Sequence, residues 1–420
     1  MQSLIKISQQ TIWQVLGKAV TSLSTFIILG LVARNYGPNG TGIFTLALTY
    51  LAIFYLLADF GFNAHELKRV KRLESRDKEW NKLLGTRVVW SGILIILAIG
   101  LLPFWPFATA QFNTAVFIGS LAIAASAIFI TCNLIFQSKL RYDLSVIASS
   151  IGTLVGLVIT VWLISSRFPV SQIILGHLIG WVFIAASALI LCGRLLRSFA
   201  PRNDKQEKFP SCIGKPIIDL SYAANLFKQS WPIAATLSLN VLYFRADSFL
   251  IAYFKSVSDA GIYNVAYSFF QTALVLPTFI MNAYYPLMLK SLAKVKVMGL
   301  SLLGISLLGT VLTLTAAPLI IKILTGGGFA GSTLSLQILS LGFPAYFLSS
   351  LLMWIFVAKN KYKTLFLLYT SGTIFNILLN IFYIPKYSYI ASSWITVISE
   401  YFILILQIMV LWFAESRFKR

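Results

Sequence analysis

This sequence predicts an all-α integral membrane protein of about twelve transmembrane helices, arranged as two six-helix lobes. Three observations carry that expectation. Long apolar stretches cover nearly all of the 420 residues, the basic residues collect in alternate gaps between them, and a polar gap near the middle divides the stretches six and six. With 58% hydrophobic and only 11% charged residues, the chain has too little polar surface to cover a water-soluble fold.

The spans are expected at 10–33, 39–59, 83–102, 113–136, 143–166, 170–193, 229–254, 259–289, 298–322, 332–358, 363–384 and 387–413. Each has about 20 or more mostly apolar residues, enough to cross a hydrocarbon core of about 30 Å. Of the 34 lysines and arginines, 26 lie at the termini or in the gaps after even-numbered spans, among them Lys68, Arg69, Lys139, Arg141, Lys359 and Lys361. The odd gaps hold only Arg34, Arg167, Lys255, Lys322 and Lys386. Basic loops are retained on the cytoplasmic side, so both ends are expected inside a cell (inner) membrane. The net charge of +21 then reports loops facing anionic lipid headgroups, with no nucleic-acid partner. The N-terminus lacks a short apolar core followed by a small-residue cleavage site, so the first span reads as a membrane helix and not a removed signal.

The gaps expected outside are short, which leaves no room for an extracytoplasmic domain. The gap around 194–228 is polar and carries Pro201, Pro210 and Pro216, a linker composition. The expected division is an N-terminal lobe at 1–200, a cytoplasmic linker at 201–228 and a C-terminal lobe at 229–420. Cys132, Cys192 and Cys212 form no motif and are expected to be thiols without metal or catalytic work; no cofactor is expected.

The halves look related. Span 2 opens Thr41-Gly42-Ile43-Phe44-Thr45-Leu46-Ala47-Leu48-Thr49-Tyr50, and span 8 opens Ala260-Gly261-Ile262-Tyr263-Asn264-Val265-Ala266-Tyr267-Ser268-Phe269. Gly, Ile and Ala match identically and four further positions match by type, at one constant offset. Both blocks follow the first span of their half. An offset of six helices keeps the copies in the same orientation, the parallel-repeat plan of some transporters.

Val32-Ala33-Arg34-Asn35-Tyr36-Gly37-Pro38, Gly42-Ile43-Phe44 and Ala58-Asp59-Phe60-Gly61 resemble the opening of the polysaccharide-biosynthesis flippases. These include the Wzx-type O-antigen and teichuronic-acid translocases of the multidrug/oligosaccharidyl-lipid/polysaccharide exporter superfamily. Arg245-Ala246-Asp247, Gly261-Ile262-Tyr263-Asn264-Val265-Ala266, Tyr285-Pro286 and Ser399-Glu400 extend the resemblance along the second half. The resemblance implies a V-shaped pair of six-helix bundles, as in multidrug-extrusion (MATE) transporters. It implies a flippase that moves an undecaprenyl-diphosphate-linked oligosaccharide to the outer leaflet by alternating access. Membrane lipids, a polysaccharide polymerase and a chain-length regulator are the candidate partners. The peptidoglycan-precursor branch usually carries two further helices, which disfavours that branch here.

An ionisable side chain at bilayer depth is costly, and so a functional candidate. Lys18 in span 1 and Arg245 in span 7 occupy equivalent places in the repeat, and both are expected to face the cleft between lobes, where cations suit a diphosphate; the alternatives are that Lys18 snorkels and that Arg245 pairs internally with a carboxylate or a helix end. Arg34, at the outer end of span 1, is a third substrate-binding candidate, with anchoring as its alternative. Arg87, at the start of span 3, is expected at the interface. Asp247, Glu400 and Asp59 are the ion-coupling candidates, each able to carry a proton or bind sodium; Asp59 alternatively caps the basic segment 66–82. Asp247 is two residues from Arg245, about 200° round a helix, so the two should not share a face. His65 is expected in an interfacial loop and His177 as a packed or hydrogen-bonded helix residue; no metal site is expected.

Pro232, Pro277, Pro318 and Pro344 fall inside second-half spans, where proline kinks a helix. Pro277 is the hinge candidate, with a static kink used for packing as its alternative. Gly326-Gly327-Gly328 lacks the Lys-Ser/Thr of a phosphate loop and reads as an outer turn. Two other functions compete. A cation-coupled multidrug exporter of the same fold calls for an acidic cavity, whereas the buried charges here are at least half basic. A membrane polymerase or acyltransferase calls for a large external loop or a His/Asp cluster, and neither is present.

Overall fold

The computed structural model describes residues 2–70, 76–197, 215–289, 291 and 294–418. Cys212 and the expected linker up to residue 214 lie outside them. Among the described residues there is no strand, and the helices in chain order are α1 (Gln2–Asp59), α2 (Phe62–Val70), α3 (Arg76–Gly100), α4 (Ala110–Ser120), α5 (Ala122–Ser138), α6 (Tyr142–Ser165) and α7 (Val170–Arg197). After them come α8 (Leu220–Phe254), α9 (Val257–Ala273), α10 (Val275–Met288), α11 (Val295–Thr325), α12 (Ala330–Ser340), α13 (Phe343–Ala358) and α14 (Tyr362–Phe418).

Among the described residues eight helices are long and apolar enough to cross a membrane, nine if the 44° bend between α12 and α13 lies within one span. Two of the eight are double. Helix α1 breaks at Gly37 (φ 62°), with Pro38 beyond it, and α14 breaks at Ser388 (φ 50°), three residues after Pro385. Helix α8 has the length, at 35 residues, but carries Lys228, Arg245 and Asp247 and so falls below the apolar threshold. With α8 and both limbs of the broken helices, the described residues give the twelve expected segments. The fold is therefore an all-α membrane fold.

Two details depart from expectation. The gap after residue 59 is largely helical: Phe60 (φ 47°) and Gly61 (φ 74°) turn the chain left-handed, α2 follows, and α3 starts well before residue 83. The fourth, eighth and tenth spans are each interrupted, at Leu121, Leu274 and Leu341–Gly342. The first interruption occurs without a proline, so breaks are not confined to the second half.

The chain forms two compact units, Met1–Asn35 with Ala47–Ser238, and Tyr36–Leu46 with Leu239–Arg420. The first reaches into α8 because the first half of that helix packs on it. Phe227 meets Phe60, Phe62 and Trp90 at ring distances of 4.9–5.1 Å, and a Cβ at Gly61 would press on Ile233. The residues ahead of α8 dock as well. Ile217 N–H donates to the Asn81 carbonyl at 3.0 Å, a Cβ at Gly85 would overlap the Ile217 carbonyl, and Lys82 pairs with Asp219 at 2.9 Å. Asp219 also accepts from Tyr222 N–H and so caps α8. The hydrogen-bonded Lys82 ammonium, helped by the Tyr222 N–H and the Ser221 hydroxyl, holds the Asp219 carboxyl well below the usual range.

In the first unit α6 and α7 meet through two matched Gly-xxx-Gly pairs, Gly152/Gly156 and Gly176/Gly180. A Cβ at Gly156 would press on Gly176 and Gly180 backbone, and one at Gly180 on Gly152 and Gly156. Small residues let membrane helices approach closely where no hydrophobic drive between them exists.

The structure exposes a second repeat block that the sequence reading had passed over. Ile135-Phe136-x-x-Lys139-Leu140-Arg141-Tyr142 and Ile355-Phe356-x-x-Lys359-Asn360-Lys361-Tyr362 stand at one constant offset. Both end a helix in the same way. Leu140 (φ 54°) and Asn360 (φ 55°) are left-handed, and the N–H of Arg141 and of Lys361 reaches back to the carbonyl of Phe136 and of Phe356, each at 2.9 Å. The repeated glycines themselves meet inside the second unit: a Cβ at Gly261 would overlap the Pro38 carbonyl and Gly42, and one at Gly42 the Val257 carbonyl.

Candidate functional site

Two buried polar assemblies stand out, one in each unit. In the first, Arg87 on α3 is fully buried and not interfacial as expected. The correction has a physical reason: three polar partners hold its two Nη groups where water cannot, while Nε has none among the described residues. Nη2 donates to Asp59 Oδ1 at 2.9 Å and to Asn63 Oδ1 at 2.7 Å, and Nη1 donates to Thr131 at 3.0 Å. Asp59 thus ends α1 as half of an ion pair. His65 is helical, on α2, with Nδ1 3.2 Å from buried Glu66.

In the second unit, Asp247 on α8 is buried and accepts three hydrogen bonds. Tyr263 on α9 (2.8 Å) and Thr396 on α14 (2.9 Å) both donate to Oδ2, and Asn380 donates to Oδ1 at 2.9 Å. Asn380 and Thr396 lie on opposite limbs of α14, so the carboxylate joins both limbs to α8 and α9. Ser392 donates to Asn380 Oδ1 at 2.7 Å, and Asn376 extends the network to Ser399. Such density of donors is what an anionic oxygen needs away from water. A set of carboxylate, amide and hydroxyl oxygens is also the donor chemistry of hard cations such as sodium.

Glu400 is buried one turn beyond Thr396 and accepts from Tyr243 at 2.8 Å. Tyr267, Tyr346 and Tyr369 are near enough to feel the charge of the same carboxyl. Tyr243 and Asp247, four residues apart, share the buried face of α8. Arg245, between them in sequence, is half-buried; Tyr267 and Tyr263, which also act on Glu400 and Asp247, lie near it, and it has no carboxylate partner among the described residues.

Lys18 is exposed on the first limb of α1, beside Gly17, which packs on Val146 of α6. Arg34 is exposed near the end of that limb. Pro277 sits in the first turn of α10, directly after the break at Leu274. Cys132 and Cys192 are buried thiols. Among the described residues no group of three or more His, Cys, Asp or Glu is placed to hold a metal.

Sequence reasoning found Asp247 and Glu400 but missed Tyr263, Asn380, Ser392 and Thr396. A signal existed: Ser392, Thr396 and Glu400 recur every four residues, as do Asn376 and Asn380, so each set shares one helix face.

Residues 7–292 match the polysaccharide biosynthesis protein family. Among curated protein sequences none matches the chain. Among solved structures the fold is similar to "Lipid II flippase MurJ, inward closed conformation", at TM-score 0.75 and 14% identity over 95% of this chain and 87% of that one. It is similar, too, to an inward-facing multidrug resistance MATE family transporter of the MOP superfamily, at TM-score 0.73 and 12% identity over 95% of each chain. A third is a MOP superfamily transporter from Pyrococcus furiosus, described as having a binding pocket of reverse polarity, at TM-score 0.58 and 14% identity over 99% of this chain and 96% of that one. The fold is that of the MOP-type membrane transporters, and the chain belongs to the polysaccharide biosynthesis protein family.

Proposed function

We propose that this protein is a flippase that carries an undecaprenyl-diphosphate-linked oligosaccharide across the cytoplasmic membrane by alternating access. One observation carries the reading beyond the family: Arg245. A guanidinium stays charged at any physiological pH, and in a membrane helix it needs an anion. Asp247, two residues along, is held by Tyr263, Thr396 and Asn380, so among the described residues no carboxylate neutralises Arg245. A diphosphate supplies that charge and accepts bidentate bonds. Lys18 and Arg34, exposed on α1, are the further cations assigned to the cargo.

Ion coupling is assigned to Asp247, whose oxygen-rich surroundings suit a sodium-sized cation, with Glu400 as a second coupling acid. Asp59, paired with Arg87, is the third candidate, and its role would be to hold the pair and not to exchange ions. Both termini are placed in the cytoplasm by the distribution of lysine and arginine. A polysaccharide polymerase and a chain-length regulator are the partners that would use the delivered cargo. The neighbouring fold class of multidrug exporters moves cations, which the unneutralised Arg245 would repel.

The test is translocation of a fluorescent lipid-diphosphate saccharide in proteoliposomes. Wild type should flip it, and Arg245→Ala should lose on the order of tenfold or more of the rate, the effect of one charge-assisted contact. Flipping at the wild-type rate by Arg245→Ala and by Lys18→Ala would remove the reading.

A further inference from the structure

We propose that the first unit contains a saccharide-binding subsite built from Tyr55, His177 and Trp181; the proposal rests on the flippase reading above and names where the sugar, as distinct from the diphosphate, is held. The three side chains meet around one atom. His177 Nε2 lies 3.0 Å from the Tyr55 hydroxyl and 3.1 Å from Trp181 Nε1. The Tyr55 ring is 5.5 Å from Trp181 and 5.8 Å from His177, and Phe129 of α5 closes the group at 6.1 Å from Trp181.

The indole settles the protonation state of the imidazole. Tryptophan can only donate, so Nε2 must be the acceptor, and the single ring proton sits on Nδ1. The Tyr55 hydroxyl lies 3.0 Å from the same nitrogen and donates to the Gly119 carbonyl at 3.4 Å. His177 is therefore neutral, with its acceptor nitrogen taken by the indole. Its Nδ1–H finds no partner among the described residues.

The group looks inward. At about 100° per residue, His177 and Trp181 fall in the middle of the α7 face that also carries Val170, Ile173, Ile174, Ile184, Ala188 and Cys192, all buried. Val182, Phe183, Leu189 and Ile190, all exposed, lie on the opposite side, towards lipid. Yet His177, Trp181, Tyr55 and Phe129 are each only half-buried. Side chains at the centre of a packed face keep partial exposure where the packing around them is open, and these four lie together. The Gly176/Gly180 seam with α6 fixes α7 one residue before each of these rings.

The lining chemistry selects the occupant. Among the described residues no Lys, Arg, Asp or Glu charge acts on Tyr55 or His177. Aromatic faces offer apolar surface to the C–H face of a pyranose, and an outward N–H meets a ring or amide oxygen. A quaternary cation would find the aromatic faces but would be opposed by the Nδ1–H and unsupported by any carboxylate.

The experiment uses the full chain in proteoliposomes with two cargoes, undecaprenyl diphosphate carrying an N-acetylhexosamine and undecaprenyl diphosphate alone. His177→Phe removes the donor and Trp181→Leu the stacking face. Both should slow the glycosylated cargo by on the order of tenfold, the cost of one contact left unmade, and leave the bare carrier at the wild-type rate. His177→Gln, which can accept and donate at once, should recover much of the loss. Equal slowing of both cargoes, which a packing role predicts, would overturn the subsite, as would no slowing of either. If wild type flips neither cargo, the flippase reading fails by itself. The subsite is then decided by Trp181 fluorescence: quenching by the free N-acetylhexosamine disaccharide in wild type but not in Trp181→Phe supports it. Quenching by tetraphenylphosphonium with none by the sugar overturns it, as does no quenching by either.

Discussion

Arg87 Nη2 donates to Asp59 Oδ1 at 2.9 Å from a guanidinium that has no exposed surface. A buried pair adds little net stability over apolar residues of the same size, but breaking it strands a charge. Arg87→Met should therefore lower stability by about 3–5 kcal/mol, and the double change Arg87→Met with Asp59→Leu should recover most of it. Thermal unfolding in detergent measures both; a double variant no more stable than the single one would refute the pairing as the cause.

The glycines of the repeat make a steric forecast. Gly261→Ala forces a Cβ into the Pro38 carbonyl and Gly42 backbone, neither of which can swing aside. Overpacking of this kind costs about 1–3 kcal/mol. Gly92→Ala and Gly100→Ala, with nothing within 4 Å, should be neutral or mildly stabilising. Equal yields of monodisperse protein from all three variants would contradict the close approach.

Asp247 and its oxygen neighbours imply a cation-dependent stability. A ligand that binds only the folded state stabilises it by about 2.7 kcal/mol at a hundred times its dissociation constant. Sodium in place of choline should raise the unfolding temperature of wild type and leave Asp247→Asn unmoved. An equal rise in both variants would take the cation away from Asp247.

Asp219 allows a pH forecast from outside the membrane spans. Its carboxyl is held below the ordinary value of about 3.9, so its contribution is present above that value and is lost only as pH falls through the lower folded value. Amide protection at residues 217–223 should thus persist from neutral pH down to about pH 4.5. Asp219→Asn should lose it at neutral pH already, as read by hydrogen exchange. Loss of protection in wild type near pH 5 would contradict the clamp with Lys82.

Pro277 follows the Leu274 break directly. As a hinge, it should slow transport when replaced by alanine while expression stays near normal, because alanine restores the backbone donor that proline lacks. Unchanged turnover in Pro277→Ala would leave the break a packing feature.

Much of this was legible without coordinates. Span positions follow from apolar runs, and the separation of Arg245 from Asp247 follows from helical geometry alone. Arg87 and His177 were less legible. Each is a polar residue in an apolar run, and the sequence cannot show whether lipid headgroups or protein partners satisfy it. The partners of Arg87 come from residues 59, 63 and 131, and those of His177 from residues 55 and 181. The α2 helix was missed because its basic, polar composition reads as a loop until Gly61 turns it back on the core.

By itself the sequence determined the all-α membrane class, the repeated blocks and the family, since each depends on local composition and on period. Tertiary structure alone decided which buried polar groups share an atom. Hydrogen bonds act over about 3 Å, and residues far apart in the chain reach that distance only after helices have packed.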